Sequence, residues 1–241
     1  MTTAAIVVIG NEILSAKVTD ENGPFLTREL RALGVEVRRI ETVPDEVPLI
    51  VDALHRCRQH AHWLFTSGGI GPTHDDVTIA AVAQAFGRRV VQDEKILEAL
   101  RGYFGPVLNA AKRRLAEIPE GSLVHWHESN PFPVVSCEDV YILPGVPSLL
   151  RQNFAQVRER FRGSPIFSHA VYFSVGESVL AEHLDATVAA HPRVAIGSYP
   201  RFDQADHRVK VTFDGRVQAE VRAAAAFLRE RLPRDNVVRE E

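Results

Sequence analysis

The chain has 241 residues, a formal net charge of −3, and 45% hydrophobic against 24% charged residues. That balance fits an ordinary globular protein of one large domain or two small ones, and the absence of a basic run argues against nucleic acid as the main partner. No stretch approaches the ~20 apolar residues that span a bilayer, and no basic n-region opens the chain. The expectation is therefore a cytoplasmic protein with no membrane partner, its two cysteines, Cys57 and Cys137, being buried thiols rather than a disulfide.

Residues 4–9 form a continuous, largely β-branched run, as a central parallel strand buried on both faces requires. The turn Gly10-Asn11-Glu12 follows it. Residues 25–33 carry Phe25, Leu26, Leu30 and Leu33 at helical spacing, with Asn22 as the expected cap and Gly34 as the closing glycine. Residues 35–42 alternate apolar and charged side chains and read as a strand nearer an edge. Asp45 is the expected cap of the next helix, which places Val47, Ile50, Val51, Leu54 and Cys57 on one side. Residues 63–66 are the third strand. The glycine loop Thr66-Ser67-Gly68-Gly69-Ile70-Gly71-Pro72-Thr73-His74-Asp75-Asp76 then leads into a helix over 77–86.

This β-α-β-α-β-loop-α order predicts a doubly wound α/β sheet, in which ligands sit beyond the carboxyl ends of the strands. The Glu12 turn and the glycine loop both fall at such ends. Further on, residues 93–104 read as an amphipathic helix and 107–115 as a continuing one. Residues 119–133 read as loop with short strands, 134–137 and 140–143 as paired strands around a Glu138-Asp139 turn, and 147–161 as a helix. The sequence around Arg162-Gly163-Ser164-Pro165 marks a boundary between a domain over 1–162 and a small α+β domain over 166–241. The latter reads as βαββα, with strands at 166–175, 194–199 and 208–213 and helices at 177–189 and 216–232.

The glycine loop is neither a Walker A motif nor a dinucleotide fingerprint: no Lys-Ser or Lys-Thr follows it, and Gly69-x-Gly71 lacks the third spaced glycine. Read plainly, it is a tight connection capped by Thr73 and Asp76 in a capping-box pattern. Read as a site, its N–H groups and helix start suit a phosphate. Asp75 and Asp76 would repel a bare phosphate, so that reading asks for a bound cation. Glu12 would be a third carboxylate if it faces them, and three such groups suit a hard divalent ion. His125-Trp126-His127 could chelate a metal if extended, but no third ligand is evident at suitable spacing, so a structural role is expected. His74 could meet a ligand or solvent.

Gly10-Asn11-Glu12-Ile13-Leu14, Asn22 with Phe25-Leu26, the TxGGxGPxxDDxT pattern over residues 66–78 and Pro144-Gly145-Val146-Pro147 resemble, in that order, the molybdopterin-binding domain of the CinA (competence/damage-inducible protein A) family. Asn130-Pro131-Phe132-Pro133 and residues 191–200 are similar to the N-terminal portion of bifunctional FAD synthases, and Gly176-Glu177-Ser178 resembles the small second domain of CinA proteins. The resemblance implies a three-layer αβα fold of MoaB/MogA type followed by a small α+β domain. It implies either a pyrophosphatase acting on FAD or ADP-ribose or a pterin-binding protein of molybdenum cofactor metabolism. A divalent metal (cobalt, magnesium or manganese) with potassium, and a homo-oligomer, go with it. Carried over residue by residue, Glu12, Asp75 and Asp76 fall on metal and catalytic positions. Thr66, Gly68, Gly69, Gly71 and Thr78 fall on ligand positions, and Pro144 and Gly145 on a second ligand turn. The chain departs from its relatives in ending at Glu241, so neither nicotinamide-mononucleotide deamidation nor FAD synthesis is expected. Asn130-Pro131-Phe132-Pro133 also replaces the glycine-rich loop that CinA proteins usually carry there.

Overall fold

A computed structural model describes residues 2–127, 130–201 and 206–241, with the side chains of Asn130 and Pro131 outside the description. The chain divides into two units, Met1–Gly163 and Ser164–Glu241. The first unit runs β1 (Thr3–Ile9), α1 (Asn11–Leu14), α2 (Asn22–Ala32), β2 (Glu36–Val43), α3 (Val47–Arg58), β3 (Trp63–Ser67) and α4 (Thr78–Ala85). It continues through β4 (Val90–Gln92), α5 (Glu94–Phe104), α6 (Ala110–Arg114), β5 (Glu117–Pro119), β6 (Leu123–His127), β7 (Asn130–Cys137), β8 (Val140–Leu143) and α7 (Pro147–Val157), and ends in a 3-10 turn over Arg158–Phe161.

Its main sheet has the order β2-β1-β3-β8-β7-β6. The first four strands are parallel, and β7 and β6 run antiparallel to their neighbours. Every residue of β1 is buried, because alternate side chains go to two cores. Ala4, Ile6 and Val8 meet Leu26 and Leu30 of α2 and Phe154 of α7. Ala5, Val7 and Ile9 meet Ile50 and Leu54 of α3 and Ala81 and Val82 of α4. Helices thus cover both faces, which makes the first unit a three-layer αβα domain. Since β1 leads to β2 on one side and lies beside β3 on the other, the order reverses between β1 and β3. That reversal opens a crevice at their carboxyl ends.

Several local expectations change. Asn22 does not cap α2: the Asp20 carboxylate accepts from the N–H groups of Asn22 (2.9 Å) and Gly23 (3.1 Å), which leaves the Asn22 side chain for other use. Asp45 does not cap α3, whose start lacks a side-chain cap; it reaches back to accept from the Asn11 N–H at 2.8 Å. Residues 107–115 are not one helix. Only Ala110–Arg114 is helical, started by Asn109, whose side chain accepts from the Lys112 N–H. Thr73 and Asp76 bond each other rather than the helix, which begins two residues later with no side-chain cap.

His125 and His127 do not form a chelating pair. A register irregularity separates them in β6, and the His125 ring stacks on Tyr141 and bonds Ser136 at 2.8 Å. Burial, with Arg160 adding to it, pushes the His125 pKa down. Glu128, their neighbour, lies outside the described residues.

The second unit contains β9 (Phe167–Phe173), α8 (Glu177–Ala190), β10 (Ala195–Pro200), β11 (Val209–Gly215), α9 (Gln218–Arg229) and β12 (Val237–Glu240). It is an antiparallel sheet of order β10-β11-β9-β12, with Val171, Phe173, Val211 and Phe213 buried against Leu180 of α8 and Val221 and Leu228 of α9. The expected βαββα unit therefore gains a last strand, β12, which pairs with β9. No helix among the described residues is long and apolar enough to cross a membrane.

Both cysteines are free and buried. Burial, helped by the Glu41 carboxylate, pushes the Cys57 thiol up to about 12, so almost none of it is thiolate near neutrality, and the thiolate is the reactive form. A thiol reagent at pH 8 is expected to leave Cys57 unmodified in the folded protein and to label it on unfolding in guanidinium, as read by intact mass. Labelling of the folded chain at the rate of a free thiol would contradict this burial.

Candidate functional site

The crevice at the ends of β1 and β3 is a cavity of about 670 Å³. The glycine loop forms one wall. Gly68 (φ +106°) and Gly69 (φ +64°) both take conformations that side chains disfavour, and both are crowded. A Cβ on Gly68 would run into the Ile9 carbonyl oxygen, and one on Gly69 into the Thr78 hydroxyl. Behind the loop Thr78 clasps it twice, its hydroxyl donating to the Gly68 carbonyl (2.8 Å) and its N–H to the Gly69 carbonyl (2.9 Å).

Opposite the loop lies the turn after β8. Pro144 and Gly145 line the cavity, and Gly145 packs so closely that a Cβ there would sit 3.2 Å from the Gly68 Cα. Asn22 ties these pieces together. Its buried side-chain amide donates to the Ser67 hydroxyl (2.9 Å) and to the Gly145 carbonyl (2.7 Å). Sequence reasoning marked Asn22 only as a cap and a motif residue, since a bridge to residues 45 and 123 positions away leaves no local signature.

The predicted ligand residues separate into two groups. Gly68, Gly69, Gly71, Pro144 and Gly145 line the cavity, as do Glu12, Asp75 and Asp76. Thr66 and Thr78 do not: both are fully buried, Thr66 with its hydroxyl unpartnered and Thr78 holding the loop's shape. Nor are all the loop amides open to a ligand, because the Gly68 N–H donates to the Leu143 carbonyl at 3.1 Å. The N–H groups of Gly69, Ile70 and Gly71 are the ones left for an anion.

Asp76 is locked in the loop, one carboxylate oxygen accepting from both the N–H and the hydroxyl of Thr73. That same oxygen lies 2.7 Å from where a Gly71 Cβ would be. The Thr73 hydroxyl also holds the Asp75 carboxyl below the usual carboxylate range, aided by Asp75's own backbone amide and by His74. His74 itself faces solvent, its side chain 97% exposed. The Glu12 carboxylate folds over Gly10, with an oxygen 2.5 Å from the position of a Gly10 Cβ.

Asp45 and Glu117 also line the cavity, and neither was anticipated as a site residue. Among the described residues no three His, Cys, Asp or Glu side chains are grouped closely enough to hold a metal ion. The expected point of three converging carboxylates is thus absent as such: Glu12, Asp75 and Asp76 face one cavity without meeting. In kind they are hard oxygen donors, suited to magnesium-like ions, which commonly use one or two carboxylates and take further oxygens from a bound phosphate. The remaining wall is apolar and aromatic, with Ile79, Ile96, Phe104, Leu115, Phe132 and Leu149.

Fold and cavity together define a three-layer α/β protein with a cavity at a strand-order reversal. Residues 5–162 match the family described as "Probable molybdopterin binding domain", and the chain belongs to that family. Residues 165–241 match the FAD synthase middle domain. A protein of Archaeoglobus fulgidus is 32% identical over 94% of this chain and 96% of its own length. A "Probable FAD synthase" of Caenorhabditis briggsae is 30% identical over 95% of this chain, which spans 49% of that relative. Among solved structures, the protein CinA of Thermoplasma acidophilum is 27% identical with a TM-score of 0.62, over 66% of this chain and 98% of that one. The motifs read in the sequence as CinA-like and FAD-synthase-like point to the same relatives.

Proposed function

We propose that this cavity binds a nucleoside-diphosphate compound, FAD or ADP-ribose, and that a divalent metal ion assists hydrolysis of its diphosphate bridge. The observation that carries the reading is the presence of Glu12, Asp75 and Asp76 on the walls of the same cavity as the open amides of Gly69, Ile70 and Gly71. Carboxylates beside an anion-binding loop are unfavourable unless a cation stands between them. The amides would hold one phosphate of the bridge. Asp75 and Asp76, with oxygens from that phosphate, would hold the ion, which when bound polarises a phosphoryl oxygen and acidifies water. Glu12, left outside that set, would accept the proton of the attacking water as the bridging P–O bond breaks. The similarity to FAD synthases supports the choice of substrates.

The expected result is release of FMN and AMP from FAD, or of ribose 5-phosphate and AMP from ADP-ribose, in magnesium, manganese or cobalt. Asp76→Asn keeps an acceptor for Thr73, and so the loop's shape, while removing the charge; it is expected to lower turnover at least ~100-fold, about 2.7 kcal/mol of transition-state stabilisation. Absence of turnover on both substrates with all three ions would exclude hydrolysis.

A second reading is favoured by the family itself: the same cavity would hold a pterin without cleaving it. Saturable pterin binding, unchanged in Asp76→Asn and unaccompanied by hydrolysis, distinguishes this from the first.

A further inference from the structure

The cavity is rich in acid and poor in base. Glu12, Asp45, Asp75, Asp76 and Glu117 line it, and Arg114 is the sole Lys, Arg or His among its described lining residues. The Arg114 side chain is half-buried at the end of α6. Its guanidinium has no ion pair or hydrogen bond among the described residues. Its neighbour Arg113 bonds Gln92, and nearby Arg88 and Arg89 are paired with Glu138 and Glu120. Glu117, three residues on and lining the same cavity, makes no ion pair with Arg114. A guanidinium removed partly from water beside Leu115, with no counter-charge engaged, carries a desolvation cost that a ligand anion can offset. The backbone that carries it is held on both sides, by the Asn109 cap of α6 and by the pairing of β5 with β4.

We propose that Arg114 is a specificity-determining residue, which grips a phosphoryl group of the ligand and makes the cavity prefer phosphorylated over unphosphorylated forms of the same ring compound. This rests on the reading of the cavity as a nucleotide site but not on its cleaving anything. The loop amides supply neutral donors at one wall, and Arg114 supplies the charge-assisted fork that five carboxylates would otherwise deny an anion.

The test is calorimetric binding of two pairs of ligands that cannot be cleaved at a diphosphate, FMN against riboflavin and AMP against adenosine, each in magnesium and in EDTA. Wild type is expected to prefer the phosphorylated member of at least one pair by about tenfold or more, as loss of a charge-assisted bond implies. R114Q should reduce that preference to less than about twofold while leaving the unphosphorylated member's affinity unchanged, and R114K should fall between. The proposal is overturned by any of three results: R114Q retaining the wild-type preference, R114Q weakening both members equally, or wild type showing no preference in either pair. Circular dichroism of the variants separates misfolding from lost recognition, with R114K standing in if R114Q does not fold. A phosphate preference that depends on Arg114, in a protein that hydrolyses neither FAD nor ADP-ribose, would uphold this inference while excluding the hydrolytic one.

Discussion

Gly68→Ala is expected to destabilise the first unit by at least about 2 kcal/mol and to abolish ligand binding. Two effects add. A side chain at φ +106° incurs roughly 1–2 kcal/mol of backbone strain, and its Cβ would collide with the Ile9 carbonyl oxygen. That carbonyl belongs to the end of β1, fixed between β2 and β3, so it cannot yield without disturbing the parallel sheet. Gly87→Ala provides the control. Gly87 also has positive φ (+61°), but a Cβ there would meet nothing within 4 Å, so it should show the strain alone, roughly 1–2 kcal/mol. Thermal unfolding of both variants, with FMN and AMP titrations, checks this. If Gly68→Ala loses no more stability than Gly87→Ala, the loop is not wedged against β1.

Asn22→Ala is expected to be nearly as damaging, by a different route. It removes one buried and one part-buried hydrogen bond and leaves the Ser67 hydroxyl and the Gly145 carbonyl without their donor. Losing the part-buried bond costs about 1 kcal/mol and orphaning the buried Ser67 hydroxyl about 1–3 kcal/mol, so a loss of roughly 2–4 kcal/mol follows. The 144–147 turn would also part from the glycine loop, and affinity for any ligand lying between them should fall with stability. Denaturant unfolding and calorimetry measure the two losses separately. A variant that loses affinity but keeps its unfolding midpoint would mean that Asn22 touches the ligand instead of bracing the loops.

Much of the fold was legible because the central strands β1, β3 and β8 are short and buried along nearly all their length. Residues 4–9 could only be a strand covered on both sides, and that placed the glycine loop and the Glu12 turn at one edge of the sheet. Polar residues were less legible. Asn22 and Asp45 stand where caps stand, yet one bridges two loops and the other reaches back to Asn11, and only the tertiary path shows which. The last strand, β12, escaped notice because Val237-Val238 is followed by Arg239 and Glu240, and an edge strand need bury little. Thr66 and Thr78 lie in the motif but behind the cavity, since a motif records proximity in sequence and not the direction a side chain faces. Asp45, Arg114 and Glu117 belong to no motif and reach the cavity only through the way the chain is folded.

The Asn22 bridge has a wider meaning. It joins a helix start near the beginning of the first unit to a turn 123 residues later, across a run of parallel strands that require long crossover connections. Such long-range closure is slow, since loop entropy is lost before contacts return it. The cavity is thus assembled from parts far apart in the chain, its lining running from Ile9 to Asn153. A ligand gripping both loops acts as a clasp on the whole three-layer unit, so occupancy and folding are linked quantities and a bound ligand stabilises the domain in proportion to the logarithm of its concentration.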